Sequence, residues 1–238
     1  MTPAGADMGE DRPTEPEWVR AAAADLFGER LPLAEAYAEL LTSDGVLRGL
    51  IGPREAPRIW ERHLLNCAVV AELIPTGVHV VDVGSGAGLP GIVLAVARPD
   101  LTVTLVEPMA RRTSFLTEVI SALDLRRVTV LQARAEEAAD QLSPADVVTA
   151  RALARLDRLA EWCLPLTAVG GRVLAIKGES APEEIAAYGA AAARWGGAPP
   201  VLRRCGVGRL RQPTTVVEII REQDVRPRSR TARRKRRG

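Results

Sequence analysis

The stretch Val80–Ala95 reads VVDVGSGAGLPGIVLA. An apolar run with an acid near its end meets three glycines, Gly84, Gly86 and Gly88, within five residues. Such a run reads as a buried strand, and the glycines after it as a sharp turn into a helix. Glycine accepts positive φ and lets the backbone approach a ligand that a Cβ would hold off. Pro90 is compatible with a helix start here, because no partnered N–H is lost in a first turn.

The same alternation extends along the chain. Short β-branched runs at 78–83, 101–107, 127–133, 145–152, 171–178 and 214–220 predict strands. Helical spacing over 89–98, 110–123, 135–142, 154–165 and 182–194 predicts the helices between them. Strands alternating with helices imply an α/β fold with a parallel sheet wrapped on both faces. In such sheets ligands sit beyond the carboxyl ends of the strands, where the strand order reverses. Upstream, apolar residues from Trp18 to Leu41 predict two short helices broken near Pro32, and a further helix runs from about Glu55 to Leu73. No internal repeat is present.

Composition narrows the function. The chain has 238 residues, 47% apolar and 26% charged, a soluble globular balance. No apolar run is long enough to span a membrane, and the N-terminus lacks the pattern of a signal peptide, so a cytoplasmic location is expected. Cys67, Cys163 and Cys205 form no CxxC pair and His63 and His79 show no ligand spacing, so reduced thiols and no metal are expected. The net charge of +2 hides a gradient. The last thirteen residues hold eight basic groups: Arg226, Arg228, Arg230, Arg233, Arg234, Lys235, Arg236 and Arg237. The rest of the chain has 24 basic against 30 acidic residues. A basic block of this density suits a polyanionic partner. The expected organisation is an acidic disordered tail over 1–17, a helical extension over 18–76, a ligand-binding α/β domain over 77–221 and a basic disordered tail over 222–238.

The ligand follows from the turn. A P-loop is excluded, since no Gly-Lys-Ser/Thr follows. Gly86-x-Gly88-x-x-Gly91 matches a dinucleotide fingerprint as text, with Glu107 21 residues past Gly86. That motif, however, puts its first glycine at the strand's end, where Gly84 stands, and the third position counted from there is Leu89. Asp82-Val83-Gly84-Ser85-Gly86-Ala87-Gly88 instead resembles motif I of S-adenosylmethionine-dependent methyltransferases. Glu107, ending the second strand, then matches the acid that binds the ribose hydroxyls, and a carboxylate with two acceptor oxygens suits a vicinal diol.

Further segments sharpen the resemblance. Trp60-Glu61-Arg62-His63-Leu64, VDVGSGAGLPGI, LVEP, Ala133-Arg134-Ala135-Glu136-Glu137, Thr149-Ala150-Arg151-Ala152 and Ala175-Ile176-Lys177-Gly178 occur in this order. Together they resemble the RsmG (GidB) family of small-subunit ribosomal RNA guanine-N7 methyltransferases over roughly 55–220. The resemblance implies a Rossmann-like class I S-adenosylmethionine-dependent methyltransferase sheet with an N-terminal helical extension. Asp82, Gly84, Gly86, Gly88 and Leu89 would form the cofactor turn, with Gly84 and Leu89 on the methionine side and Ala135 and Glu136 at the adenine. Arg151 would end the fourth strand beside the transferring methyl, with Arg134 and Lys177 also on the ligand side. The sequence departs from the family at Asn66-Cys67, where Asp-Ser is usual, and over Leu41–Leu47.

Guanine N7 is an unprotonated acceptor on the major-groove edge, so its methylation needs no general base. Catalysis would rest on orientation, with N7 about 3–3.5 Å from the methyl group. Arg151 or Arg134 could hold O6 or a phosphate; a salt bridge to Glu136 or Glu107 is the structural alternative. Lys177 would meet a phosphate or stay solvated, and His63 has a capping or core role. Aromatic residues, 3% of the chain, are too scarce for broad base-stacking platforms. The expected partner is 16S ribosomal RNA or the small ribosomal subunit, approached by a monomer. A small-molecule methyltransferase and a non-catalytic nucleic-acid-binding protein are the competing readings.

Overall fold

In the computed structural model, which describes residues 15–225, seven strands form one sheet in the order β3-β2-β1-β4-β5-β7-β6. They are β1 His79–Val83, β2 Thr102–Val106, β3 Val128–Leu131, β4 Ala145–Arg151, β5 Thr167–Lys177, β6 Val201–Cys205 and β7 Thr214–Ile220. The first five run parallel, and β7 lies antiparallel between β5 and β6. The expected all-parallel sheet therefore carries an antiparallel edge. Strand β6 went unforeseen because VLRRC is mostly solvent-facing and shows no apolar run. Its arginines suit an exposed edge. Arg203 of β6 and Arg172 of β5 both pair with the buried Glu218 of β7, at 2.7 and 3.0 Å, so one carboxylate ties three strands together.

The helices are α1 Glu17–Phe27, α2 Leu31–Thr42, α3 Asp44–Leu47, α4 Asn66–Ala68, α5 Gly91–Ala97, α6 Ala110–Ala122, α7 Ala135–Ala138, α8 Leu156–Cys163 and α9 Ala181–Tyr188. The break between α1 and α2 falls at Gly28–Arg30, before Pro32 rather than at it. Gly28 ends α1 with φ 51°, and Pro32 sits in the first turn of α2, where its ring is tolerated. The predicted helix over 55–73 is helical throughout 56–73 but changes pitch, with a π-helix at Ile59–Leu65. π segments are rare and concentrate at functional sites.

Side chains alternate across the sheet with period two. Val80, Val147, Leu174 and Val216 face a core shared with α1, α2, the 59–73 segment, α5 and α6. Val81, Val83, Val148, Ala150, Val173, Ala175 and Val217 face the other core, with α7, α8 and α9. Each fully buried valine or leucine among them contributes about 1.5–3 kcal/mol, the alanines less. The N-terminal helices thus form part of the layer covering one face of the sheet. Cys67, Cys163 and Cys205 are buried free thiols, one in that layer, one in α8 and one at the end of β6.

The sheet winds outward in both directions from β1 and β4, and the chain leaves both strands at the same end. This is the switch point at which α/β sheets bind their ligands.

Candidate functional site

The turn after β1 is built on its backbone. Gly84, Gly86 and Gly88 have φ of 70°, 59° and 102°. Gly84 N–H bonds Val106 O at 2.8 Å, which joins the turn to β2. Asp82 lies beneath it, fully buried. Its Oδ1 accepts from Thr149 Oγ1 at 2.9 Å and its Oδ2 from Gly91 N at 3.1 Å, at the start of α5. Burial pushes its carboxyl up to about 6, against the pull of these hydrogen bonds. Asp82 therefore holds the turn from below, where the sequence had suggested contact with the cofactor.

The glycines differ in what surrounds them. A Cβ on Gly84 would come within 2.5 Å of Leu153 Cδ1, and one on Gly88 within 2.5 Å of Ile92 and 2.8 Å of the Tyr37 hydroxyl. One on Gly86 would meet nothing nearer than 3.9 Å. Gly86 is thus the glycine with open space above it, while Gly84 is covered by Leu153. The Leu89–Pro90 peptide is cis, and Leu89 is buried behind the turn.

Glu107 faces this open glycine. It follows β2, is 1% exposed, and accepts from Gly86 N and Met109 N, each at 3.0 Å, with Arg112 Nη1 at 3.4 Å. A carboxylate offers about four lone-pair positions, so acceptor capacity remains for a diol. The open space over Gly86 and this acceptor fit the ribose of S-adenosylmethionine.

Arg151 ends β4 on the face of the N-terminal layer. Its Nη2 donates to His63 Nδ1 at 2.5 Å and its Nη1 lies 3.4 Å from Cys67 Sγ. His63 Nε2 lies 3.0 Å from Glu55 Oε2. Because the arginine can only donate, Nδ1 must accept, and the ring proton sits on Nε2 facing Glu55. Burial first, and then the charge of Arg151, hold the His63 pKa below its ordinary value. The arginine thus meets neither Glu107 nor Glu136. Its neutral acceptor comes from the π-helix, and a charge-assisted bond to a histidine stands where the alternative reading had a salt bridge. Beyond it, Ala152 has φ 50°, left-handed backbone that costs about 1–3 kcal/mol in a non-glycine residue.

The remaining expected residues fall at the same end of the sheet. Arg134 caps α7 after β3; it is exposed, its side chain makes no ion pair among the described residues, and its backbone N–H donates to Glu137. Ala135 and the exposed Glu136 begin that helix. Lys177 is neither solvated nor free: its Nζ bonds Ala154 O at 2.7 Å and Glu184 at 2.8 Å. The basic residues from Arg226 to Arg237 lie outside the described residues. Among the described residues no group of three or more His, Cys, Asp or Glu could hold a metal ion, and no helix is long and apolar enough to cross a membrane.

Sequence reasoning missed Tyr37 and Leu153 and did not pair His63 with Arg151. The Tyr37 hydroxyl donates to Ala87 O at 2.8 Å, pinning the turn from α2 across 50 positions of sequence. No local signal marks such a contact. The polar tip of a tyrosine on an apolar helix face was the available hint.

Comparison with known proteins agrees with this geometry. The chain is 60% identical over 232 residues to the ribosomal RNA small subunit methyltransferase G of Salinispora tropica, covering 94% of this chain and 96% of that one. It is 54% identical to the protein of the same name from Streptomyces coelicolor, over 87% and 85% of the two chains. The crystal structure of TrmN from Thermus thermophilus superposes with a TM-score of 0.52 at 19% identity, over 66% of this chain and 48% of that one, and shares the fold. Residues 30–205 match the family described as rRNA small subunit methyltransferase G, and the chain belongs to that family.

Proposed function

We propose that this methyltransferase moves a methyl group from S-adenosylmethionine to N7 of a guanine in 16S ribosomal RNA, acting in the cytoplasm on the RNA or the small subunit. The observation that carries the reading is the pairing, at one switch point, of the glycine turn and its Glu107 acceptor with an arginine whose neighbouring histidine has both ring nitrogens engaged. Glu107 and the open backbone at Gly86 would hold the ribose, the turn from Gly84 to Leu89 the methionine portion, and Ala135 with Glu136 the adenine. When bound, the cofactor supplies a methyl group on a positively charged sulfur.

The chain's own part is orientation. Arg151 is clamped by His63 and Cys67, which leaves its Nε–H and one Nη1–H without a partner among the described residues. Those donors would hold O6 of the guanine or a neighbouring phosphate, so that the N7 lone pair stays free. His63 has both ring nitrogens engaged and a lowered pKa, so it is not a free base. N7 carries no proton, and the site needs none removed. The positive side chains around the carboxyl end of the sheet and the basic tail supply sequence-independent attraction to phosphates.

The test is product analysis. Small subunits from a strain lacking the gene, treated with the protein and labelled S-adenosylmethionine, should release labelled 7-methylguanosine on nuclease digestion. Label on another atom or another base would overturn the reading.

A further inference from the structure

N7 methylation raises a question of selection. The enzyme must recognise guanine without covering the edge that reacts. A wide-open cleft of about 510 Å³ lies at the carboxyl ends of β4 and β5, lined by Ala154, Arg155, Lys177, Ser180, Glu183 and Tyr188 among others. That volume falls in the usual range for a small-ligand site. Val83 of β1 pairs with Ala150 of β4, which pairs with Ala175 of β5. The cavity is therefore about two strand spacings, roughly 10 Å, from the cofactor turn. Leu153, the residue before its wall at Ala154, rests on Gly84.

The lining offers one group for each feature of a guanine. The Arg155 guanidinium, paired with Asp157 at 3.2 Å, lies 4.8 Å from the Tyr188 ring centroid, a flat surface on which a base can stack. Lys177 spends two of its three donors on Ala154 O and Glu184, which fixes its ammonium at the cavity wall with one donor left for a carbonyl oxygen. Glu183, in the first turn of α9, is exposed, and its side chain has no hydrogen bond or ion pair among the described residues. A carboxylate accepts from N1–H and the N2 amino group of guanine together. Adenine offers an unprotonated N1 there and would be repelled.

We propose that this cavity is the guanine pocket of the methyl-transfer site, with Glu183 reading N1–H and N2–H, Lys177 meeting O6, the Arg155–Tyr188 pair stacking on the ring, and the free donors of Arg151 left for the neighbouring phosphate. The inference rests on the guanine-N7 reading above and explains how it is achieved. Grasping N1–H and the N2 amino group on the Watson–Crick edge leaves N7, on the adjacent major-groove edge, free to accept the methyl group.

The test uses 16S RNA assembled into subunits with guanosine or inosine at the position the wild type methylates. Inosine keeps N7, N1–H and O6 but lacks the N2 amino group. The wild type should discriminate by about tenfold to a hundredfold in kcat/KM, the effect of one hydrogen bond to a charged acceptor. Glu183→Ala and Glu183→Gln should lower activity on guanosine and reduce the discrimination to less than about threefold, while affinity for S-adenosylhomocysteine, measured by calorimetry, stays unchanged and confirms the fold. Discrimination retained in full by both variants would overturn the pocket and leave the N7 reading standing. A wild-type methyl group found away from guanine N7 would remove that reading, and the pocket with it.

Discussion

The exits of β1 and β4 lie side by side at the same end of the sheet, yet they are made in opposite ways. After β1 the geometry comes from within: three glycines at positive φ, a buried carboxylate two residues upstream and an amide of the next helix nine residues on. After β4 it comes from afar. Arg151 takes its orientation from His63 and Cys67, 88 and 84 positions earlier, both in the N-terminal layer. A site that binds a small cofactor can be written in one stretch of chain. On the proposed reading, aiming Arg151 at a large substrate falls to a second layer, the one that holds His63 and Cys67.

The largest effect should come from closing the first exit on itself. Gly88→Ala adds a Cβ at φ 102° that meets Ile92 and the Tyr37 hydroxyl. It should lower stability by about 4 kcal/mol, seen as a shifted denaturation midpoint, because backbone strain and overpacking add. Gly86→Ala keeps the strain but loses the clash, so its smaller loss measures the difference. Equal losses would show that crowding around the glycine plays no part.

A somewhat smaller effect concerns Asp82. Its folded pKa, about 6, exceeds the ordinary aspartate value of about 3.8. The folded state thus binds more protons between these values, so this group's contribution is favourable at low pH and is lost as pH rises through about 6. Stability of Asp82→Asn relative to the wild type should rise by up to about 3 kcal/mol between pH 4 and pH 7. A flat difference across that window would show that the carboxylate is well solvated.

The third change opens the second exit. Arg151→Ala should reduce kcat about a hundredfold, about 2.7 kcal/mol, with little change in cofactor affinity. Arg151→Lys should recover little of it, since an ammonium cannot span His63 and Cys67 as a fork does. Parallel losses of turnover and cofactor binding would erase the distinction between the two exits.

The same contrast explains what could be read in advance. The β1 turn, Glu107 and the six apolar strands were visible because their signals are short-range: glycine spacing, β-branched runs and an acid at a strand end. Strand β6 escaped because an exposed edge needs no apolar period, and the π-helix because its pitch depends on packing. The partners of Arg151 and Lys177 were missed because either arginine or lysine could have paired with several carboxylates, and only the folded layers chose His63 and Glu184. The two protein donors that Asp82 accepts from could not be read from its place beside the turn. An acid two residues before a glycine can point up at a ligand or down into the core, and the period of two at Asp82 and Thr149 turns it inward.

The three sulfhydryls acquire a use from their placement. Burial raises all of them above the ordinary thiol range, Cys205 to about 11, so alkylating reagents have almost no thiolate to attack in the native molecule. Each becomes reactive only when its own surroundings open. Cys67 times the parting of the N-terminal layer from Arg151, Cys163 the loosening of the opposite face and Cys205 the fraying of the sheet's edge. The molecule therefore carries three internal clocks, and the order in which they run down under mild denaturant would give the sequence in which its layers come apart.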